Sequence, residues 1–146
     1  MNIKVNIKKT MADAILPTYG SEYAAGADLY SCSDKTEIAA GETVLMHTGV
    51  AIELPVGYVG LVYARSGLAS KRGLAPANKV GVIDCDYRGE IMVALHNHGH
   101  VTQMVEKGER IAQLVIAPYF TADFNEVEEL SETVRGEGGF GSTGRK

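Results

Sequence analysis

Apolar residues alternate with polar ones along almost the whole chain, and a period of two restricts the fold to one built of strands. Ile3, Val5 and Ile7 alternate with Lys4, Asn6 and Lys8. Val44, Met46, Val50, Ile52 and Leu54 fall on one face, Ile91, Val93 and Leu95 on another, and Ile111, Val115 and Ala117 continue the pattern. Turn residues punctuate these runs at short intervals, at Gly41-Glu42, Pro55-Val56-Gly57, Asp86-Tyr87-Arg88-Gly89 and Lys107-Gly108-Glu109. Strands so short and so regularly broken predict an all-β sandwich or barrel, not βαβ units. Gly67 to Arg72 alone could make a short helix. At 146 residues, 45% hydrophobic and 22% charged, the chain suits one domain with a real core.

The pattern stops at the C-terminal end. Arg135 to Lys146 read R-G-E-G-G-F-G-S-T-G-R-K, one aromatic among five glycines and two hydroxyls. A segment this rich in glycine loses much backbone entropy on ordering and offers no core face in return, so it is expected to be mobile until a ligand orders it. Exposed backbone N–H groups, Ser142, Thr143 and the Arg135 guanidinium suit phosphate oxygens, while Phe140 offers a flat face to a base. Together they describe a nucleotide with a polyphosphate. Gly136, Gly138 and Gly141 match a dinucleotide fingerprint, and Gly139 with Gly144 has the spacing of a phosphate-binding loop. Neither can work, because no helix can follow in the residues left.

A net charge of -4 excludes a sequence-independent nucleic-acid binder, so a polyanion must be met by a few placed cations. Charged or strongly polar residues interrupt every apolar run before membrane-spanning length, and the N-terminus lacks the apolar core of a signal peptide. Cys32 and Cys85 are far apart and form no metal or disulfide motif. A soluble protein of the reducing cytoplasm is expected, without nucleic-acid or membrane partners. His96, His98 and His100 share a strand's alternation, but Asn97 and Gly99 between them are turn chemistry, and an exposed hairpin end is preferred to a metal site.

Four further polar clusters stand against the strand background. A-G-A-D-L-Y-S carries Asp28, and Y-A-R-S-G-L-A carries Arg65 and Ser66 at a strand exit. N-K-V-G-V-I-D-C-D-Y-R-G-E-I, from Asn78 to Ile91, reads as a hairpin turning at Asp86 to Gly89, and G-E-R-I-A-Q-L leads into a strand with Gln113. Polar residues at turns are usually turn formers. Asp84 is harder to dismiss, since it follows Val80 and Val82 at period two, and a carboxylate on an apolar face is costly unless paired or functional.

Taken in order from Ala25 to Gly144, these blocks and the tail resemble the five motifs of the trimeric dUTP diphosphatase (dUTPase) family. Departures are small: Ala64 stands where the family often has Pro, and Cys85 sits beside the catalytic position. The resemblance implies a jelly-roll-like distorted β-barrel with one short helix over residues 1–130. It also implies a homotrimer whose flexible glycine-rich arm, 131–146, closes over the active site of a neighbouring subunit. Each site would draw the Asn78 to Ile91 hairpin from one subunit, Asp28, Arg65, Ser66 and Gln113 from a second, and the tail from the third.

The implied reaction is hydrolysis of dUTP to dUMP and pyrophosphate, which limits uracil in DNA and supplies dUMP for dTMP synthesis. Asp84 is the implied general base, taking a proton from a water aimed at the α-phosphorus. Arg65, Ser66, Gly67, Gln113, Arg135, Gly141, Ser142 and Thr143 are implied to hold the phosphates, with Phe140 over the uracil. Mg²⁺ would arrive on the phosphates and meet Asp28 through water. The backbone of Gly81, Val82 and Ile83 with the Asn78 amide is the implied base reader, and Ile91 and Met92 are implied to touch the substrate as well. Fixed groups there can accept uracil's O4 and N3–H and reject cytosine's reversed pattern. Tyr87 is implied to pack under the deoxyribose and exclude a 2′-hydroxyl. Two rivals remain: a dCTP deaminase on the same fold, which expects Glu ten residues beyond Asp84 where this chain has Ala94, and a non-catalytic nucleotide-sensing trimer.

Overall fold

The computed structural model describes residues 2–142. The alternation becomes β1 (Asn6–Lys9), β2 (Thr18–Tyr19), β3 (Ala27–Tyr30), β4 (Thr36–Ile38), β5 (Thr43–His47), β6 (Val50–Glu53) and β7 (Tyr58–Tyr63). After α1 (Ser66–Arg72) come β8 (Leu74–Pro76), β9 (Gly81–Ile83), β10 (Met92–Asn97), β11 (Gln103–Val105) and β12 (Arg110–Pro118). The expected turns close where turn chemistry put them: Glu42 donates to Ala39 O, Tyr58 to Pro55 O and Glu109 to Glu106 O. The helix starts from an extended Arg65 and stops at Gly73, whose φ of 67° few side chains adopt. Among the described residues no helix is long and apolar enough to cross a membrane.

All pairings are antiparallel. The largest sheet runs β2-β3-β12-β7-β9, a second runs β5-β10-β8, and the pairs β1-β6 and β11-β4 complete the walls. Leu29, Ile38, Met46, Val50, Leu74, Val93, Leu95, Val105 and Ile111 form the buried centre between them. The face Val44, Met46, Val50, Ile52 and Leu54 is the inward one, as the alternation requires.

Four sequence expectations need correction. First, β12 carries a bulge: Arg110 faces Tyr30 and Ala112 faces Leu29, so Ile111 is an extra residue. The parity flips there. Ile111 and Ala112 are both buried, Leu114 follows them inward and Ile116 packs on the core, while Val115 and Ala117 turn to the other side. Second, Ile3 and Ile7 are exposed and only Val5 of that run packs on the core, because β1 joins the barrel along β6 alone. Third, Asn78 to Ile91 is not a hydrogen-bonded hairpin: β9 pairs with β7, whereas β10 pairs with β5 and β8. The intervening segment crosses from one sheet to the other. Fourth, Asn97 is no turn residue.

Asn97 ends β10 fully buried, at 0% exposure. Its Nδ2 donates to the carbonyls of Ile38 (2.9 Å) and Val101 (2.8 Å), and its Oδ1 accepts the Gly99 N–H at 3.0 Å. One amide thus satisfies three backbone groups from the β4 end and the following loop. Its neighbours His96 and His98 bond to Thr43 and the Ala69 carbonyl, and among the described residues no group of three His, Cys, Asp or Glu side chains converges on a metal. Asn97→Ala strands the buried Ile38 carbonyl and unties the 99–101 loop, and it should cost about 1–3 kcal/mol, read as a lower midpoint in urea denaturation, while His98→Ala at the surface should shift it little.

Candidate active site

Two open clefts gather the polar clusters, one at the exit of β7 into α1 and one along β9 and the segment that follows it. The first encloses about 350 Å³ and is lined by Arg65, Ser66, Gly67, Leu68, Lys71, Arg72 and Gln113. It forms where β7 leaves its sheet and turns into α1, so that Arg65 and Ser66 stand at the exit. Beside them β12 lies between β3 and β7, with Gln113 opposite both Asp28 and Tyr63.

Asp28 organises this end of the sheet. Its carboxylate is largely buried and accepts the Arg65 Nε–H at 2.8 Å on one oxygen and an Arg110 Nη1–H at 3.2 Å on the other. A buried carboxylate is tolerable only when paired, and here two cations share one anion. The cleft therefore keeps net positive charge in an acidic protein. Arg110 was not among the residues picked out from sequence; its place opposite Tyr30 at the bulge is a tertiary fact. Gln113 is held by Nε2 donating to the Ala64 carbonyl at 2.8 Å. Gly26 makes room for it, since a Cβ there would overlap the Gln113 amide oxygen.

The second cleft, about 320 Å³, opens between the two sheets where the 84–91 segment crosses. Asn78, Gly81, Val82, Ile83, Tyr87, Ile91 and Met92 line it together with Asp84. These residues come from both sheets and from the crossing between them, and they line a single cleft. Asp84 does share a face with Val82, but that face is open: Val82 is 63% exposed, and Asp84 stands at the rim without the burial expected for it. Ala94 lies in the same cleft, so no carboxylate occupies the position a deaminase would need. Cys85, half-buried beside Asp84, lies 3.8 Å from the Tyr119 hydroxyl. That thiol contact first, then slight desolvation and the nearby acidic side chains of Asp84 and Asp86, push the Tyr119 phenol above its usual range.

Within one chain the two clefts share no lining residue, and among the described residues 119–142 line neither. Regular structure ends at Pro118, and residues 119–142 run exposed, with Phe120, Phe124, Leu130 and Phe140 bare to solvent. Tight turns shape its end: Gly136 N–H donates to Thr133 O, Gly138 to Arg135 O and Ser142 to Gly139 O, while Arg135 Nε donates to Gly138 O. Phe140 has a φ of 49°, an unusual backbone for an aromatic residue, beside Gly141 at 90°. Thr143 lies outside the described residues.

The dUTPase family model matches residues 12–144. The chain belongs to the dUTPase family. It is 49% identical over 144 residues to the deoxyuridine 5'-triphosphate nucleotidohydrolase of a Hydrogenobaculum species, covering 99% of this chain and 100% of that one. It is 50% identical over 143 residues to that of Nautilia profundicola, covering 98% and 100%. Its fold superposes with a TM-score of 0.90, at 31% identity and over 98% and 99% of the two chains, on a variant dUTPase of Staphylococcus bacteriophage 80alpha with dUpNHpp. A further dUTPase, from phage phi11 of S. aureus, superposes with a TM-score of 0.79 at 26% identity over 87% and 98%, and that structure describes a structural Mg(II) ion. The all-β architecture with one short helix is therefore that of dUTPases.

For a metal, the donor set suits an ion carried by phosphate oxygens better than a resident one. Two carboxylates stand near the cationic cleft: Asp28 already gives two of its lone-pair sites to arginines and Glu109 is bonded to Arg72. Gly26→Ala tests whether the placement of the Gln113 amide matters for activity. The added methyl would overlap the Gln113 amide oxygen and crowd its Cδ and Cβ, so the Gln113 side chain must turn away. The melting temperature should hold within a few degrees while kcat/KM for dUTP falls roughly tenfold or more, as misplaced binding groups do.

Proposed function

We infer that this chain hydrolyses dUTP to dUMP and pyrophosphate in the cytoplasm, with Asp84 as general base. The observation that carries the reading is the division of labour between the clefts. A wall of backbone and amide groups with a carboxylate at its rim lies apart from a cationic strand exit. Neither alone can bind and hydrolyse a nucleoside triphosphate. Bringing the cationic cleft of one subunit to the nucleoside cleft of another supplies both halves, which favours a homotrimer with shared sites and a closed, self-complementary ring.

Uracil enters the second cleft, where the Gly81 to Ile83 backbone and the Asn78 amide meet its O4 and N3–H. Cytosine would leave those groups unpaired, a mismatch worth about 10⁴- to 10⁵-fold when the site is built around hydrogen bonds. Tyr87 packs beneath the deoxyribose. Arg65, Ser66, Gly67 and Gln113 hold the phosphates, fixing the α-phosphorus and drawing off negative charge as it builds on the leaving pyrophosphate. Asp84 takes the proton of the water whose oxygen bonds to the α-phosphorus, and the bond to the β-phosphate oxygen breaks. Mg²⁺ on the phosphates would supply further charge neutralisation, with Asp28 reaching it through water.

The arm, 131–146, completes the site from a third subunit. Its exposed Phe140 is free to stack on uracil, for roughly 1–3 kcal/mol, and Arg135, Gly141, Ser142 and Thr143 offer donors to the terminal phosphates. Ala94 in place of Glu disfavours deamination. A sensing role without catalysis is separated by assay.

Asp84→Asn keeps the shape of the side chain but cannot accept the proton. Pyrophosphate release from dUTP with Mg²⁺ should fall by about 10²- to 10⁴-fold while dUpNHpp still binds; turnover near that of the unaltered protein would sink the assignment. The unaltered protein should process dUTP far faster than dCTP, dTTP or UTP, and ammonia release from dCTP would restore the deaminase rival. Truncation after Gly136 should depress turnover by orders of magnitude and leave the melting temperature almost unchanged, and light scattering should give three times the chain mass. An active monomer, or a fully active truncated protein, would refute the shared site.

A further inference from the structure

Glu90 lines the nucleoside cleft, yet its carboxylate is spent on the wall behind it. Oε2 lies 2.9 Å from Nδ1 of His47 at the end of β5, and Oε1 accepts the Gly49 N–H at 2.7 Å. The backbone carbonyl of the same residue accepts the Tyr87 hydroxyl at 2.9 Å. The next residue is fastened to the same place, with Ile91 N–H donating to Val50 O at 2.8 Å and Ile91 O accepting the Thr48 hydroxyl at 2.5 Å. Residues 47–50 thus hold residues 90–91, and residue 90 holds the Tyr87 ring.

The ring has little freedom apart from this support. It lies over Gly89, where a Cβ would approach the ring Cζ to 2.5 Å and Cε2 to 2.9 Å, so the glycine lets the ring lie flat on the turn. Its outer side is open, with Tyr87 43% exposed. An aromatic packed below and open above is fixed in height by its one hydroxyl anchor, and that anchor is the carbonyl of Glu90. Side chains of Glu at a turn usually point to water; here the side chain is only 17% exposed.

We propose that Glu90 is a positioning residue for sugar discrimination: by clipping the 87–91 turn to His47 and Gly49 it holds the Tyr87 ring against the sugar, so that a 2′-hydroxyl finds no space. The proposal rests on the reading of the cleft as a dUTP site. A ring able to recede by about 1 Å would admit the extra oxygen, and displacements of that size alter rates by up to about 10²-fold. Glu90 contacts no reacting atom, and its loss is expected to change which sugar is accepted more than how fast dUTP reacts.

The test measures kcat/KM for dUTP and for UTP, with melting temperatures, on the unaltered protein, Glu90→Ala, Glu90→Gln, Tyr87→Phe and the Tyr87→Phe/Glu90→Ala pair. Glu90→Ala should narrow the dUTP:UTP ratio roughly tenfold, mainly through better use of UTP. Glu90→Gln should restore the ratio, because its amide oxygen can accept the Gly49 N–H and its NH₂ can donate to His47 Nδ1. Tyr87→Phe cuts the anchor itself, so adding Glu90→Ala to it should narrow the ratio no further. A Glu90→Ala protein that melts earlier but keeps the original ratio would make Glu90 merely structural and overturn the proposal, as would full additivity in the double variant. Should Glu90→Ala fail to fold, His47→Ala removes one leg of the clip from the surface and must narrow the ratio by a smaller factor; an unchanged ratio there overturns the proposal equally. Loss of the functional reading is visible separately, as an unaltered protein with no preference for dUTP.

Discussion

Strand β12 is hydrogen-bonded on both sides, to β3 and to β7, and its register settles the positions of the polar residues that matter. The bulge at Ile111 shifts the strand by one residue, so that Ala112 and Leu114 enter the core and Gln113 emerges opposite Asp28 and Tyr63. Without that extra residue Gln113 would point inward, with an amide in the core, and the cationic cleft would lose one wall. A one-residue slip exchanges the two faces of a strand, and here the exchange is built in at a single place. Bulges commonly sit beside binding sites for this reason.

Charge is handled locally. The chain carries a net charge of -4, an unfavourable balance for meeting a triphosphate. The structure answers by placing Arg65 and Arg110 on one buried carboxylate and leaving Lys71 and Arg72 on the last turn of the neighbouring helix, where basic side chains also suit the helix dipole. Arg72 is itself engaged, to Glu109 at 3.0 Å and Gln103 at 3.1 Å. Fixed, partnered cations need little reorganisation when an anion arrives, and this is where electrostatic holding is most effective.

Polar side chains inside the barrel serve the backbone. Asn97 satisfies three backbone groups and Thr48 ties the 90–91 turn to the end of β5. Both act at places where the chain passes between sheets and a ladder cannot supply partners. Glu90 extends the same device to the edge of the nucleoside cleft. The same few bonds serve the barrel and the cleft there, because the lining of the second cleft is also the crossing between two sheets.

The amino-acid order alone carried the strand period, the turns at Gly41, Gly57 and Gly108, the helix after Arg65, and the motif residues from Asp28 to Gln113, since each of these depends on neighbours close in the chain. The motifs are also legible there, and it is their resemblance to those of dUTPases that implies which of them share a site. What the order alone could not carry was parity after an insertion: nothing local marks Ile111 as the extra residue, so strict alternation puts Val115 and Ala117 on the wrong face. Nor could it show that β9 and β10 lie in different sheets, that the face holding Asp84 is open, or that Asn97 and Arg110 have long-range partners. Those facts depend on which strands pair, and pairing joins residues dozens apart whose match is decided by the packing of the whole core. Local physics dictated the elements, and the tertiary register decided which side chains they present to one another.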